Sequence, residues 1–182
     1  MRKRLAFALA SILTLIGARR AASVSLLYVV TPGPNGTVVI HESFSRAAAP
    51  LELPLLPDPY LALHRWVENS ASAVAGYYGR LPVPSVRVTL EVVDHGRISG
   101  GVTHGGARGA RIDVNVGPLL SPADLADDWV LTHEFVHTAL PRLPEESTWL
   151  DEGLATYVEP IARARAGRLP PEKVWRDRKS VV

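Results

Sequence analysis

An α+β domain is the fold class this sequence predicts: a small, mostly antiparallel sheet from segments before residue 117, packed on a pair of helices that follow it. Three observations carry that expectation. Runs alternating between apolar and polar residues, the mark of half-buried strands, stop at Val116. Helix-start signals with proline in the first turn stand at Asp58-Pro59 and Ser121-Pro122. The 182 residues are 47% hydrophobic and include no cysteine, so the core must form without disulfides. The missing cysteine also excludes thiol catalysis and thiolate-bound metal.

The first 25 residues read as a leader. Arg2, Lys3 and Arg4 precede an apolar run from Leu5 to Ala18, Arg19 and Arg20 follow it, and Ser23-Val24-Ser25 offers small residues for cleavage. The run is short for a bilayer about 30 Å thick. A secretory signal is therefore expected, with an uncleaved membrane anchor as the alternative; the protein is placed outside the cytoplasm, secreted or periplasmic, or tethered there. The full chain has a formal charge of +2, but residues 26–182 hold 15 basic against 18 acidic residues. No nucleic-acid partner is expected of a net acidic domain, and membrane contact is expected only through the leader.

Residues 26–182 are expected to form a single domain. Ser25 to Val30 and Thr37 to His41 read as strands joined at Asn35-Gly36, a pair suited to positive φ in a tight hairpin. Asn35 also begins a glycosylation sequon, but the turn explains it more simply. Four prolines between Pro50 and Pro59 mark a linker. A helix follows, capped by Asp58, with Leu61, Leu63, Trp66, Val67, Val74 and Tyr77 as apolar positions up to Gly79. His64 on that helix reads as packed or solvated.

Ser85 to Val93 alternates cleanly, and Arg111 to Val116 alternates again. Between them, Gly96 to Gly109 reads as a glycine-rich loop without the pattern of a phosphate cradle, which leaves nucleotide binding unsupported. Ser121 starts a helix expected to run to about Leu140, with Asp124, Asp127 and Asp128 complementing its positive end. Ser147 or Thr148 should cap a last helix with apolar positions at Trp149, Leu154, Tyr157, Val158 and Ile161. Arg163 to Arg178 reads as a solvated helix face.

His133-Glu134-Phe135-Val136-His137 carries the chemistry. Two histidines four apart share one helix face and can reach one cation, while Val130, Leu131 and Phe135 pack beneath them. A third ligand is needed, and Glu152, 15 residues beyond His137 in the first turn of the next helix, is the candidate. Three nitrogen and oxygen ligands leave a fourth zinc position for water, the mark of a catalytic site. Zinc lowers the pKa of that water from about 9 to about 7 at such sites. Glu134, rotated about 100° from His133, points past the metal at the water and is the expected general base.

Together with His133 to His137, the run Trp149-Leu150-Asp151-Glu152-Gly153-Leu154-Ala155 resembles the gluzincin zinc metallopeptidases, the superfamily of thermolysin and aminopeptidase N, whose second motif often reads W-L-x-E-G-x-A. The resemblance implies a zincin-like metallopeptidase domain in which His133, His137 and Glu152 bind zinc. It also implies that Glu134 activates water to hydrolyse peptide bonds of a peptide or protein substrate. It closely covers about 25 residues. The spacing from His137 to Glu152 is shorter than in the aminopeptidases and is similar to compact bacterial members, so substrate preference does not transfer. Gluzincins take an oxyanion-steadying tyrosine or histidine from well downstream of the third ligand. Here either another group does this, or the chain is an incomplete version of a larger domain. The alternative function is a catalytically silent zinc-binding interaction module of the periplasm.

Secondary candidates have smaller parts. Tyr157 lies about 140° round the helix from Glu152 and reads as a packing residue. His104, in the glycine segment, is a candidate donor to an oxyanion or a peptide carbonyl, since the strand edging a zincin cleft pairs with extended substrate. Asp151 and Thr156 are candidates to orient ligands. His41 and His95 carry no pattern.

Overall fold

The computed structural model describes residues 25–44, 51–106, 108–141 and 143–176. The leader and the last residues of the arginine-rich stretch lie outside the described residues. Among those described, no helix is long and apolar enough to cross a membrane.

The architecture is α+β, with a five-stranded, mostly antiparallel sheet carrying helices on one face. Strands β1 (Ser25–Pro32) and β2 (Val38–Phe44) form the hairpin. Asn35 and Gly36 both take positive φ, 55° and 78°, within a short 3-10 turn rather than a bare two-residue loop. Helix α1 (Pro59–Tyr78) starts and stops where its signals stand: the Asp58 carboxylate accepts the Leu61 N–H at 3.0 Å, and Gly79 ends it at φ 81°. Such a cap is worth about 1 kcal/mol. His64 pairs with Glu42 of β2, its ring edge-on to buried Tyr28. The proline linker is not idle, because Leu53 and Leu56 are buried in the core.

Strands β3 (Val86–Val92) and β5 (Gly109–Val116) run parallel at the centre, and every other neighbouring pair is antiparallel, in the order β2-β1-β3-β5-β4. Val86, Val88, Leu90, Ile112, Val114 and Val116 face the helices and are buried, while Arg87, Glu91 and Arg111 face outward.

The glycine-rich segment is not a loop: Ile98–Gly106 is strand β4, paired with β5 almost throughout and lying at the sheet's edge. Glycine weakens a strand's own preference, yet a neighbour that satisfies its backbone outweighs this. Gly100, at φ 62°, sits in the register shift between Ser99 and Gly101, a bulge that re-aims the residues after it.

The helix expected from Ser121 to Leu140 is two helices, α2 (Pro122–Asp127) and α3 (Val130–His137). Ser121 and Asp124 close α2 with a capping box, as expected. Asp128 breaks the run: its backbone is extended and its carboxylate accepts the N–H groups of Val130 and Leu131, each at 3.1 Å. An aspartate that bonds the next turn's backbone starts a helix instead of continuing one.

Helix α4 (Thr148–Arg165) follows a 3-10 turn, Glu145–Ser147. Neither Ser147 nor Thr148 caps it; the Thr148 hydroxyl donates to the Glu145 carbonyl at 2.7 Å. Helix α5 (Pro171–Arg176) ends the described chain. Of the apolar positions expected on α4, Val158 is buried but Trp149, Leu154 and Tyr157 are exposed, so Tyr157 is not a buried packing residue. Ala155 and Ala162 are buried instead, which lets α4 lie close to its neighbours. Arg163 is not solvated either: it is only 7% exposed.

Candidate metal centre

Helix α3 lies between the sheet and α4. Leu131, Phe135 and Val136 are buried within the core, and His133 and Glu134 are almost as enclosed. Burying an aromatic such as Phe135 contributes about 1.5–3 kcal/mol. That packing fixes which side of α3 the two histidines can occupy. The short connection after His137 returns the chain as α4, and the Glu152 carboxylate meets the histidines.

His133 Nε2 and His137 Nε2 are 3.1 Å apart. Glu152 Oε2 lies 3.1 Å from His133 Nε2, and Glu152 Oε1 lies 3.6 Å from His137 Nε2. One ligand atom from each residue falls within 4.8 Å of the others. Zinc–ligand bonds of 2.0–2.1 Å at tetrahedral angles put ligand atoms about 3.3 Å apart, so these separations match a zinc site's edges. Two imidazole nitrogens and a carboxylate oxygen are also the donor set of a catalytic zinc site. The residues present fit the metal.

Asp151 supports this set. Its Oδ1 is 3.0 Å from His137 Nδ1, where a proton on that nitrogen is donated to the carboxylate and Nε2 keeps its lone pair. His133 is steadied differently, by the Trp129 ring edge-on at 5.5 Å between centroids. Thr156 is exposed on α4, and among the described residues no hydrogen bond joins it to the ligands.

Glu134 is not directed at the histidines but at β4. Its Oε2 accepts the Thr103 hydroxyl at 2.7 Å, and the same hydroxyl lies 2.9 Å from the Glu134 carbonyl oxygen. Glu134 can sit there because residue 101 is glycine: a Cβ at that position would lie 2.5 Å from Glu134 Cγ. The carboxylate lines a cleft of about 390 Å³ between β4 and the α3–α4 connection, shared with His137, Asp151 and Glu152. The Glu152 side chain is 55% exposed, so the ligand cluster opens to solvent on that side.

Gly101 and Thr103 were missed by sequence reasoning because they lie in the segment read as a loop. The signal present was the β-branched pair Val102-Thr103 between glycines. His104 follows Thr103 in β4, so its side chain leaves the opposite face of the sheet, beside its register partner Arg111. The residue nevertheless also borders the cleft that Glu134, His137 and Glu152 line.

Behind the centre, polar groups join three helices. Trp66 Nε1 donates to Asp128 Oδ2 at 2.9 Å. Arg163 donates to Glu159 Oε1 at 2.9 Å and to the Asp127 carbonyl at 3.0 Å, tying α4 to the end of α2. Burial raises the carboxyl pKa of both Asp128 and Glu159 above ordinary values, against the lowering effect of their hydrogen bonds.

Compared with family models, curated proteins and solved structures, the chain matches none.

Proposed function

We propose that this protein hydrolyses peptide bonds in a peptide or protein substrate, with zinc held by His133, His137 and Glu152 and with Glu134 as general base. The observation that carries the reading is the meeting of those three side chains within 4.8 Å, beside a buried glutamate that lines the same cleft. The motif resemblance to gluzincins supports it, since the residues that meet are those the two motifs single out.

Zinc bound there supplies a Lewis acid that polarises a carbonyl and acidifies water toward neutral pH. The two histidines offer Nε2 lone pairs, and Asp151 holds the His137 tautomer that does so. Glu134 takes a proton from the attacking water and returns it to the leaving amine nitrogen. Its Oε2 accepts the Thr103 hydroxyl, which orients the carboxylate in the cleft. Edge strand β4 offers its outer edge to an extended substrate backbone. Location outside the cytoplasm, free or tethered, is part of the proposal and rests on the leader sequence alone.

Metal analysis and peptide digestion, run side by side, test the reading. The purified chain is expected to carry about one equivalent of zinc and to lose it on His137→Ala. Glu134→Gln should keep zinc and lose cleavage. A zinc-loaded wild type that cuts nothing in a broad peptide library would instead establish the silent interaction module.

A further inference from the structure

The helices pack on the sheet face bearing Val88, Leu90 and Val114, and the opposite face has an uneven charge. His41, Val29, Arg87, Arg111 and His104 are successive register partners across β2, β1, β3, β5 and β4, a single row spanning the whole sheet. From β1 to β4 the row borders a depression of about 380 Å³ lined by Val29, Ser85, Arg87, His104, Arg108 and Arg111. Three arginines, Arg87, Arg108 and Arg111, are among its lining residues. Asp113 engages Arg111 Nε at 2.9 Å; among the described residues no carboxylate pairs with Arg87 or Arg108. Residues 26–182 are net acidic, so the patch reverses the sign of the chain around it.

The row joins the cleft through β4. Thr103 holds Glu134 on one side of this edge strand, and His104, the next residue, stands at the end of the row on the other. A peptide laid along that edge directs alternate side chains to the two faces. Those pointing away from Glu134 meet His104 first and then Arg111. With strands about 4.8 Å apart, the backbone of Arg111 lies about 10 Å from an added strand, a gap that an arginine and a glutamate side chain close between them. Arg108, in the turn between β4 and β5, flanks the same path.

We infer that Arg87, Arg108, Arg111 and His104 form a subsite for an acidic side chain of an extended peptide bound along β4. The substrate class is then polypeptides carrying aspartate or glutamate next to the scissile bond. The substrate half of this inference rests on the hydrolase reading; the binding half does not. The net acidic domain and the small size of the patch favour a peptide carboxylate over a long polyanion.

The test uses the full chain carrying Glu134→Gln and two fluorescein-labelled decapeptides, five repeats of Glu-Thr and five of Gln-Thr, followed by anisotropy. The acidic peptide should bind about tenfold more tightly at low salt, with the advantage shrinking as salt screens it. Arg87→Gln combined with Arg108→Gln should bind the two peptides alike while zinc content and circular dichroism stay unchanged. Equal binding by the parent, an undiminished preference in the double variant, or tighter binding of a short DNA duplex or anionic vesicles overturns the inference. Digestion of a mixed peptide library by the active chain separates the two readings. Acidic residues should be enriched within two positions of the cut bonds, and the double variant should lose that enrichment. Cuts without enrichment overturn the subsite. No cuts, with the acidic preference in binding intact, uphold the subsite and defeat the hydrolase.

Discussion

Gly101→Ala isolates the placement of Glu134 from metal binding. The backbone at Gly101 is not in the left-handed region, so alanine suits it conformationally. Its methyl would lie 2.5 Å from Glu134 Cγ, 2.7 Å from Oε1 and 2.8 Å from Cδ, whereas ordinary contact begins at 3.4 Å. The glutamate must withdraw by about 0.9 Å, and this stretches its 2.7 Å bond from Thr103. Misplacing a catalytic group by about 1 Å costs on the order of 100-fold in rate, or about 2.7 kcal/mol. Overpacking should lower stability by about 1–3 kcal/mol. The three atoms nearest the methyl all belong to Glu134, so zinc stoichiometry should not change. The assay is cleavage of a quenched fluorescent peptide, with zinc measured by mass spectrometry and folding by thermal melting. Wild-type turnover in a folded Gly101→Ala protein would refute the role given to this glycine; loss of zinc would refute the separation of base from ligands.

Asp151→Asn should weaken zinc binding about 10- to 100-fold in a competition titration with a chelator, because His137 loses the charged acceptor at Nδ1. Arg163→Met leaves Glu159 buried without its partner and the Asp127 carbonyl without its donor, so denaturant unfolding should show a loss of about 3–5 kcal/mol. Asp128 should impose a pH slope. Burial raises its carboxyl pKa above 3.8, so the folded form holds the proton more tightly than the unfolded chain. The stability from this group is present in acid and is lost as pH rises from 3.8 through the raised folded value. Urea midpoints across that window should decline less steeply in Asp128→Asn than in wild type.

Much of the fold was legible because local chemistry decided it. Asp58, Pro59 and Gly79 mark both ends of α1, Asn35-Gly36 sets a turn, and alternation in β3 and β5 assigns their buried faces. The pairing of His133 and His137 was legible for the same reason, since helical periodicity alone brings residues four apart onto one face. What the sequence by itself determined was this set of local elements and the identities of the groups able to bind a cation.

Only the tertiary structure decided where those elements meet. β4 is a strand because β5 supplies its hydrogen bonds, a fact absent from a glycine-rich segment read alone. Asp128 divides the expected helix because Trp66, distant in sequence, holds the same carboxylate that caps α3. Arg163 is buried because Glu159 and the Asp127 carbonyl compensate a charge that composition assigns to solvent. Glu152 reaches the histidines by the docking of α4 on α3, and Glu134 reaches Thr103 by the approach of α3 to Gly101. Each of these contacts joins groups far apart along the chain, and its free energy exists only once packing has brought them together.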